Sequence, residues 1–154
     1  VENFSRFYRS PQRGDIMIFY PPDVNLKYDP LSLFRRLTGF FCADKAYIKR
    51  VIGLPGEKIE IVRNEDGSND VFINDKILIE PYILDKYYTR PCTEDMFCGP
   101  MVLGDDEYFM MGDNRCNSQD SRYWGALKKK RFIGRAKVLF WPFKRLQYFK
   151  IQTY

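Results

Sequence analysis

Tyr108-Phe109-Met110-Met111-Gly112-Asp113-Asn114-Arg115-Cys116-Asn117-Ser118-Gln119-Asp120-Ser121-Arg122-Tyr123-Trp124-Gly125 is an apolar run that passes directly into a dense polar loop. The first four residues read as a buried strand. From Gly112 onward two acids, Asp113 and Asp120, alternate with two arginines, Arg115 and Arg122, and glycines close both ends. Planar guanidinium forks hold carboxylates in fixed geometry, which suits a loop that must be rigid. Taken alone, the stretch reads equally as a long turn stitched by surface ion pairs, because Asn, Asp, Ser and Gly are ordinary turn residues.

Two further stretches decide between these readings. Tyr47-Ile48-Lys49-Arg50-Val51-Ile52-Gly53-Leu54-Pro55-Gly56 places one lysine inside an apolar strand that ends in a Gly-Leu-Pro-Gly turn, and Arg13-Gly14-Asp15-Ile16-Met17-Ile18-Phe19 opens another strand. In this order the three resemble the type I signal peptidases, the membrane-bound Ser/Lys proteases that remove leader peptides from exported proteins. The likeness runs from Ser10 to Trp141. Its most specific part is Gly112-Asp113-Asn114-Arg115, Asn117-Ser118, Asp120-Ser121-Arg122 and Trp124-Gly125, all at family spacing. Cys116 stands where the family pattern commonly has an acid. One departure is large. The family's nucleophilic serine lies in a Ser-Met segment upstream of the Arg-Gly-Asp strand, and no such segment occurs between Val1 and Arg13. Ser5 and Ser10 lack the apolar flanks expected of a nucleophile. The expectation is a single catalytic-region domain over residues 1–154, without the N-terminal anchor and the nucleophile segment, and inactive alone.

Composition narrows the chemistry. With 154 residues and 45% hydrophobic content, the chain is long enough for one sizeable core. It has no histidine, which removes a Ser-His-Asp triad, a Cys-His dyad and any His-ligated metal site. A hydrolase built from these residues needs another base, and lysine is the obvious one. Neither a metal nor a cofactor is expected. No apolar run reaches the roughly 18–20 residues that span a bilayer. The net charge of +5 fits nucleic acid, an anionic membrane surface or plain solubility.

Strand signals follow one another along the chain: residues 14–20 with both faces apolar, 45–52 carrying Lys49, 58–63 with Ile59 and Ile61 inward, 71–73 and 77–79 flanking an Asn74-Asp75-Lys76 hairpin turn, 107–111, and 133–141. Residues 21–44 read as a long loop or insertion, with a short helix over 31–37 capped by Asp29. Its apolar side, which includes Leu33, Phe34 and Phe40, has two readings: a lid packed on the domain, or a membrane-surface contact. Residues 80–104 form a long connection, and 128–131 a solvated basic run. The expected fold class is all-β, with coiled antiparallel sheets or a partly open barrel of the signal-peptidase type.

A serine hydroxyl attacks only after a base takes its proton, and a lysine is a base only when neutral. Burial among apolar groups favours that neutral form. Lys49 has apolar neighbours in Tyr47, Ile48, Val51 and Ile52 and no acid within two positions, yet period-2 alternation alone also permits an outward lysine. The resemblance implies that Lys49 is the general base and that Ser118 orients its amine. It further implies that Gly112, Asp113, Arg115, Asp120 and Arg122 support the site, and that Phe19, Tyr47, Ile48 and Met110 line the substrate pockets. Arg50 is read as structural. For Cys92 and Cys98, a short disulfide comparable to one in some signal peptidases stands against two reduced thiols. The disulfide would imply an oxidising compartment. The implied partners are signal peptides cut after Ala-X-Ala and the membrane surface, with no nucleic acid. The implied location is a membrane-anchored protein with its catalytic domain on the trans side, in a periplasm or lumen. Three other readings compete: a catalytically silent paralogue that binds leader peptides or scaffolds a membrane complex, a nucleic-acid-binding β-domain, and a self-cleaving repressor-type protease.

Overall fold

The computed structural model describes residues 9–26, 45–83 and 96–136, together with the backbone of 138–139 and 147–148. The expected helix near residues 31–37, the apolar side of 21–44 beyond residue 26, and Cys92 lie outside these residues.

Two antiparallel sheets carry the fold, and no closed barrel forms among the described residues. The larger is built from β1 (Ile16–Phe19), β2 (Tyr47–Gly53), β7 (Glu107–Met111), β8 (Leu127–Lys128) and β9 (Phe132–Arg135) in the order β8-β7-β2-β1-β9. The smaller takes β3 (Lys58–Arg63), β4 (Asn69–Ile73), β5 (Lys76–Ile77) and β6 (Met101–Val102) in the order β5-β4-β3-β6. A two-stranded ribbon pairs β10 (Val138–Leu139) with β11 (Gln147–Tyr148). The described helix is one turn, α1 (Ser121–Trp124).

Successive side chains on a strand point to opposite faces, so the run Tyr108-Phe109-Met110-Met111 serves two cores at once. Phe109 and Met111 join Ile52, Ile59, Ile61, Val71, Ile73 and Leu103 between the two sheets. Tyr108 and Met110 join Met17, Phe19, Val51, Leu127 and Phe132 on the far face of the larger sheet. Full burial of an Ile or Phe side chain contributes on the order of 1.5–3 kcal/mol. A run without alternation is therefore what a strand between two cores requires.

β1 departs from the expectation of burial on both faces. Met17 and Phe19 are buried, while Ile16 and Ile18 are half-exposed. Ile18 pairs with Ile48, itself 60% exposed, so the apolar packing on this face lies farther along β2 and on β7. The hairpin at Asn74-Asp75 forms as expected, and both residues take the left-handed conformation, with φ 50° and 64°. Its second strand ends at Ile77 instead of Ile79, and Ile79 is 75% exposed. β6 was not anticipated within the long connection: two residues carry no period, and pairing with Lys58 and Ile59 makes them a strand. The expected strand over 133–141 is β9 and then β10. Within the basic run Lys128, Lys129 and Lys130 are exposed, but Arg131 is partly buried and donates to the carbonyls of Pro21, Pro22 and Val24.

Gly53 sets how closely the sheets approach. A Cβ at this position would fall 2.0 Å from Ile59 Cδ1 and 2.9 Å from Leu103 Cδ1. Gly53→Ala therefore overpacks the core and should lower stability by about 1–3 kcal/mol. Ile59→Val deletes the clashing methyl. Denaturant unfolding of Gly53→Ala, Ile59→Val and the double variant should show the double losing less than the sum of the singles; strict additivity would contradict this packing.

Candidate functional site

Lys49 lies where β2 passes from solvent into the core. Along this strand Ile48 is exposed, Lys49 half-buried, and Arg50 and Val51 buried. Directly paired residues share a face, and Lys49 pairs with Met17, which in turn pairs with Arg135. On the other side, Gly112 follows the Arg50–Met111 pair and comes level with Lys49. The amine therefore projects on the face that holds Met17, Val51 and Met110, and lies 5.9 Å from the Tyr47 ring centroid. Its Nζ donates to Ser118 Oγ at 2.8 Å. A cavity of about 370 Å³ adjoins this row, with Met17, Phe132, Gly134 and Arg135 in its wall.

The Lys49 pKa is lowered from its ordinary value near 10.5, first by burial, which disfavours the ammonium. Asp120 pulls it up, Arg122 pushes it down and Asp113 pulls it up, in that order of size. Burial is the largest of these effects, Arg122 works in the same direction, and each acid is itself paired with an arginine. Asp120 and Arg122, 0% and 1% exposed, form a two-pronged pair with Nε–Oδ1 and Nη2–Oδ2 both 2.8 Å. Asp113 forms another with Arg50, at 2.8 and 2.6 Å.

The 112–125 loop is rigid for a different reason than its alternating charges suggest. Asp120 and Arg122 do pair, and Asp120 Oδ1 also accepts from the Arg122 backbone N–H, which starts α1. Asp113 and Arg115, by contrast, reach outside the loop. Arg115 binds both oxygens of Glu80 and donates from Nε to Gly112 O at 3.1 Å. Arg50 also donates to Gly14 O and stacks on Tyr82, with Cζ 4.0 Å from the ring centroid. Gly112 is held at both ends of its backbone, since its N–H donates to Asp120 Oδ2 at 3.0 Å. A Cβ on Gly112 would lie 2.2 Å from Ser118 Oγ and 3.5 Å from Lys49 Nζ, so the missing side chain is space that the Lys49–Ser118 contact uses.

The remaining expected site residues divide by burial. Tyr47 is half-buried and meets Phe19 edge to face at 6.3 Å, and Ile48 is open to solvent. Phe19 and Met110 are 0% exposed and fill the core beneath. Met17, Glu80 and Tyr82 were not anticipated. Met17 had no signal beyond its strand. Glu80 had a weak one, as the single acid closing the run Ile77-Leu78-Ile79. Among the described residues Cys116 is a free, half-buried thiol. Among the described residues no His, Cys, Asp and Glu cluster is placed to hold a metal ion, and no helix is long and apolar enough to cross a membrane.

Comparison with known proteins places this chain in a family. The sequence profile described as signal peptidase, peptidase S26, matches residues 1–141. A probable signal peptidase I-2 from Synechocystis sp. is 37% identical over 146 residues, covering 95% of this chain and 56% of the relative. A signal peptidase I from Leptolyngbya laminosa is 38% identical over 146 residues, covering 95% of this chain and 61% of the relative. The chain thus spans somewhat more than half the length of these relatives. A crystal structure of a signal peptidase I from Enterococcus faecalis superposes with a TM-score of 0.58 at 27% identity, covering 83% of this chain and 97% of that one.

Removing one partner of the Asp120–Arg122 pair strands a full charge in the interior. Asp120→Ala or Arg122→Ala should each lower unfolding free energy by about 3–5 kcal/mol. Replacing both with apolar residues should cost less than the two losses added together. Urea unfolding of the three variants checks this; single variants within 0.5 kcal/mol of the parent would contradict the pairing.

Proposed function

Because the chain belongs to the signal peptidase, peptidase S26, family, we propose that it is the catalytic region of a serine endopeptidase that removes N-terminal signal peptides from exported proteins after small residues, in the pattern Ala-X-Ala. Lys49 is the general base and Ser118 orients its amine. The observation that carries this reading is the half-buried Lys49 amine donating to Ser118 Oγ at 2.8 Å, with its pKa lowered by burial. A neutral amine that gives one N–H to Ser118 keeps its lone pair free to accept a proton from another hydroxyl. That hydroxyl attacks the scissile carbonyl. The amine takes its proton, and the resulting ammonium hands that proton to the departing amine of the mature protein.

None of the described serines suits the attack. Ser118 is 8% exposed and holds the base, and Ser121 is fully buried and accepts from Met110 N–H. Ser68 closes a turn with Asp66, and Ser10 accepts from Lys129 Nζ. The resemblance to the family assigns the attacking serine to a Ser-Met segment upstream of Val1. The intact protein is anchored in a membrane, with this domain on the periplasmic or lumenal side, where its substrates emerge. Tyr47 and Ile48 line the substrate pockets, and Phe19 and Met110 shape the floor beneath them. The Cys92–Cys98 disulfide fits that oxidising side.

In a protein carrying the upstream segment, Lys49→Met should reduce cleavage of an Ala-X-Ala precursor by about 10²–10⁴-fold or more, since general-base removal typically costs that much. Lys49→Arg should fail equally, because guanidinium stays protonated. Ser118→Ala and Gly112→Ala should cost less. The working form is the neutral amine, and its pKa is depressed. Activity should therefore rise with pH through an acid limb centred below 10.5 and be lost as pH falls through it. Residues 1–154 alone should not cleave. Turnover by Lys49→Arg near that of the parent would overturn the assignment.

Thiol labelling of the unreduced, denatured chain should modify two cysteines, Cys42 and Cys116. Labelling of all four would remove the Cys92–Cys98 bond.

A further inference from the structure

Two residues outside the polar loop touch the arginines that hold the peptide beside the lysine. Tyr82 Oη donates to Glu80 Oε1 at 2.6 Å, and its ring lies against the Arg50 guanidinium. Glu80, 6% exposed, binds both terminal nitrogens of Arg115, which is 3% exposed. Arg115 grips the carbonyl of Gly112, and Arg50 grips the carboxylate of Asp113, the next residue. One short segment, Glu80-Pro81-Tyr82, therefore bears on both arginines that fix the Gly112–Asp113 peptide. That peptide walls the Lys49 amine: the space over Gly112 is filled by Ser118 Oγ, with Lys49 Nζ next to it.

We propose that Glu80 and Tyr82 are positioning residues for Lys49 and Ser118, acting through Arg115 and Arg50 on the peptide that walls the amine. This deepens the reading of Lys49 as the base and rests on it. Neither residue touches the reacting atoms. Their effect is geometric. A carboxylate with both oxygens bound to one guanidinium allows a single orientation of that arginine. The Tyr82 hydroxyl fixes the carboxylate in turn, and its ring restricts Arg50. If the wall shifts, Ser118 and the amine lose their 2.8 Å contact, water reaches the amine, and the ammonium gains the solvation that burial denies it.

The test uses Glu80→Gln, Glu80→Asp and Tyr82→Phe in the protein carrying the upstream segment. Lysine labelled with carbon-13 at Cε is titrated by NMR, and the Lys49 signal is assigned by its disappearance in Lys49→Met. Circular dichroism and a thermal melt establish folding. Tyr82→Phe keeps the ring against Arg50 and deletes the hydroxyl, so it carries the test should Glu80→Gln not fold. In folded variants the Lys49 titration should move toward 10.5. The acid limb of cleavage should move with it, and kcat should fall about threefold to tenfold with KM little changed. Folded variants whose Lys49 titration and acid limb coincide with those of the parent would overturn the proposal and leave the pair a structural tie. Cleavage surviving in Lys49→Met would instead sink the general-base reading, and the NMR titration would still report whether Glu80 and Tyr82 position the amine.

Discussion

The fold around the site depends on the buried pair of Asp120 and Arg122. Both charges are almost wholly removed from water, and such removal costs several kcal/mol per ion before any gain is counted. The offset is full on the carboxylate and partial on the guanidinium, whose Nη1 is buried without a hydrogen-bond partner among the described residues. The carboxylate accepts two bonds from the guanidinium and one each from the backbone N–H groups of Gly112 and Arg122. The guanidinium also donates to Arg115 O. Each contact lands on a different part of the loop: its start, its middle and the first turn of α1. An apolar pair of equal volume could fill the same space, but it could not hold three backbone segments at fixed directions. The pair's contribution is to specify one loop conformation, and stability follows from that.

The same pairing decides what the loop does to the lysine. An unpaired carboxylate near an amine stabilises the ammonium and raises its pKa, which would defeat the neutral base proposed for Lys49. Two carboxylates act on Lys49 here, and both do pull upward. Each is tied to a guanidinium, Asp120 to Arg122 and Asp113 to Arg50, and Arg122 pushes back directly. The acids serve as anchors, and their upward pull on the amine stays smaller than the effect of burial and is partly offset by Arg122. Burial is left as the leading influence, and it has the sign that general-base chemistry needs.

This division explains what the sequence made legible. β2, β3 and β7 were readable because their apolar patterns are set locally by the faces they bury, and the Asn74-Asp75 turn because those residues tolerate positive φ. The Asp120–Arg122 pair was readable from its loop, since the partners are two residues apart. Arg115 with Glu80 and Arg50 with Asp113 are 35 and 63 residues apart, and no local spacing encodes such partners. β6 was hidden because tertiary pairing alone makes it a strand. The overestimate of burial on β1 came from treating two apolar faces as two covered faces. Covering depends on how far the second sheet extends, which a strand's own residues do not report.

The position of Lys49 along β2 is itself a compromise that the strand makes unavoidable. A lysine one pair deeper, level with Val51, would be sealed in the core, neutral but out of reach of any peptide. One pair shallower, level with Tyr47, it would be farther from Ser118 and better hydrated, and its amine would stay protonated near neutral pH. At Lys49 the stem crosses apolar neighbours while the amine reaches the edge of the buried region, next to a residue with no side chain. Gly112 admits the Ser118 hydroxyl at that edge, and the hydroxyl takes up one N–H that would otherwise have to be satisfied by water. Partial burial, one hydrogen bond and one missing Cβ together leave an amine that is both desolvated and accessible. Strand register sets the depth of Lys49, and the loop held by Asp120, Arg122 and Arg115 brings the other two conditions to the same point.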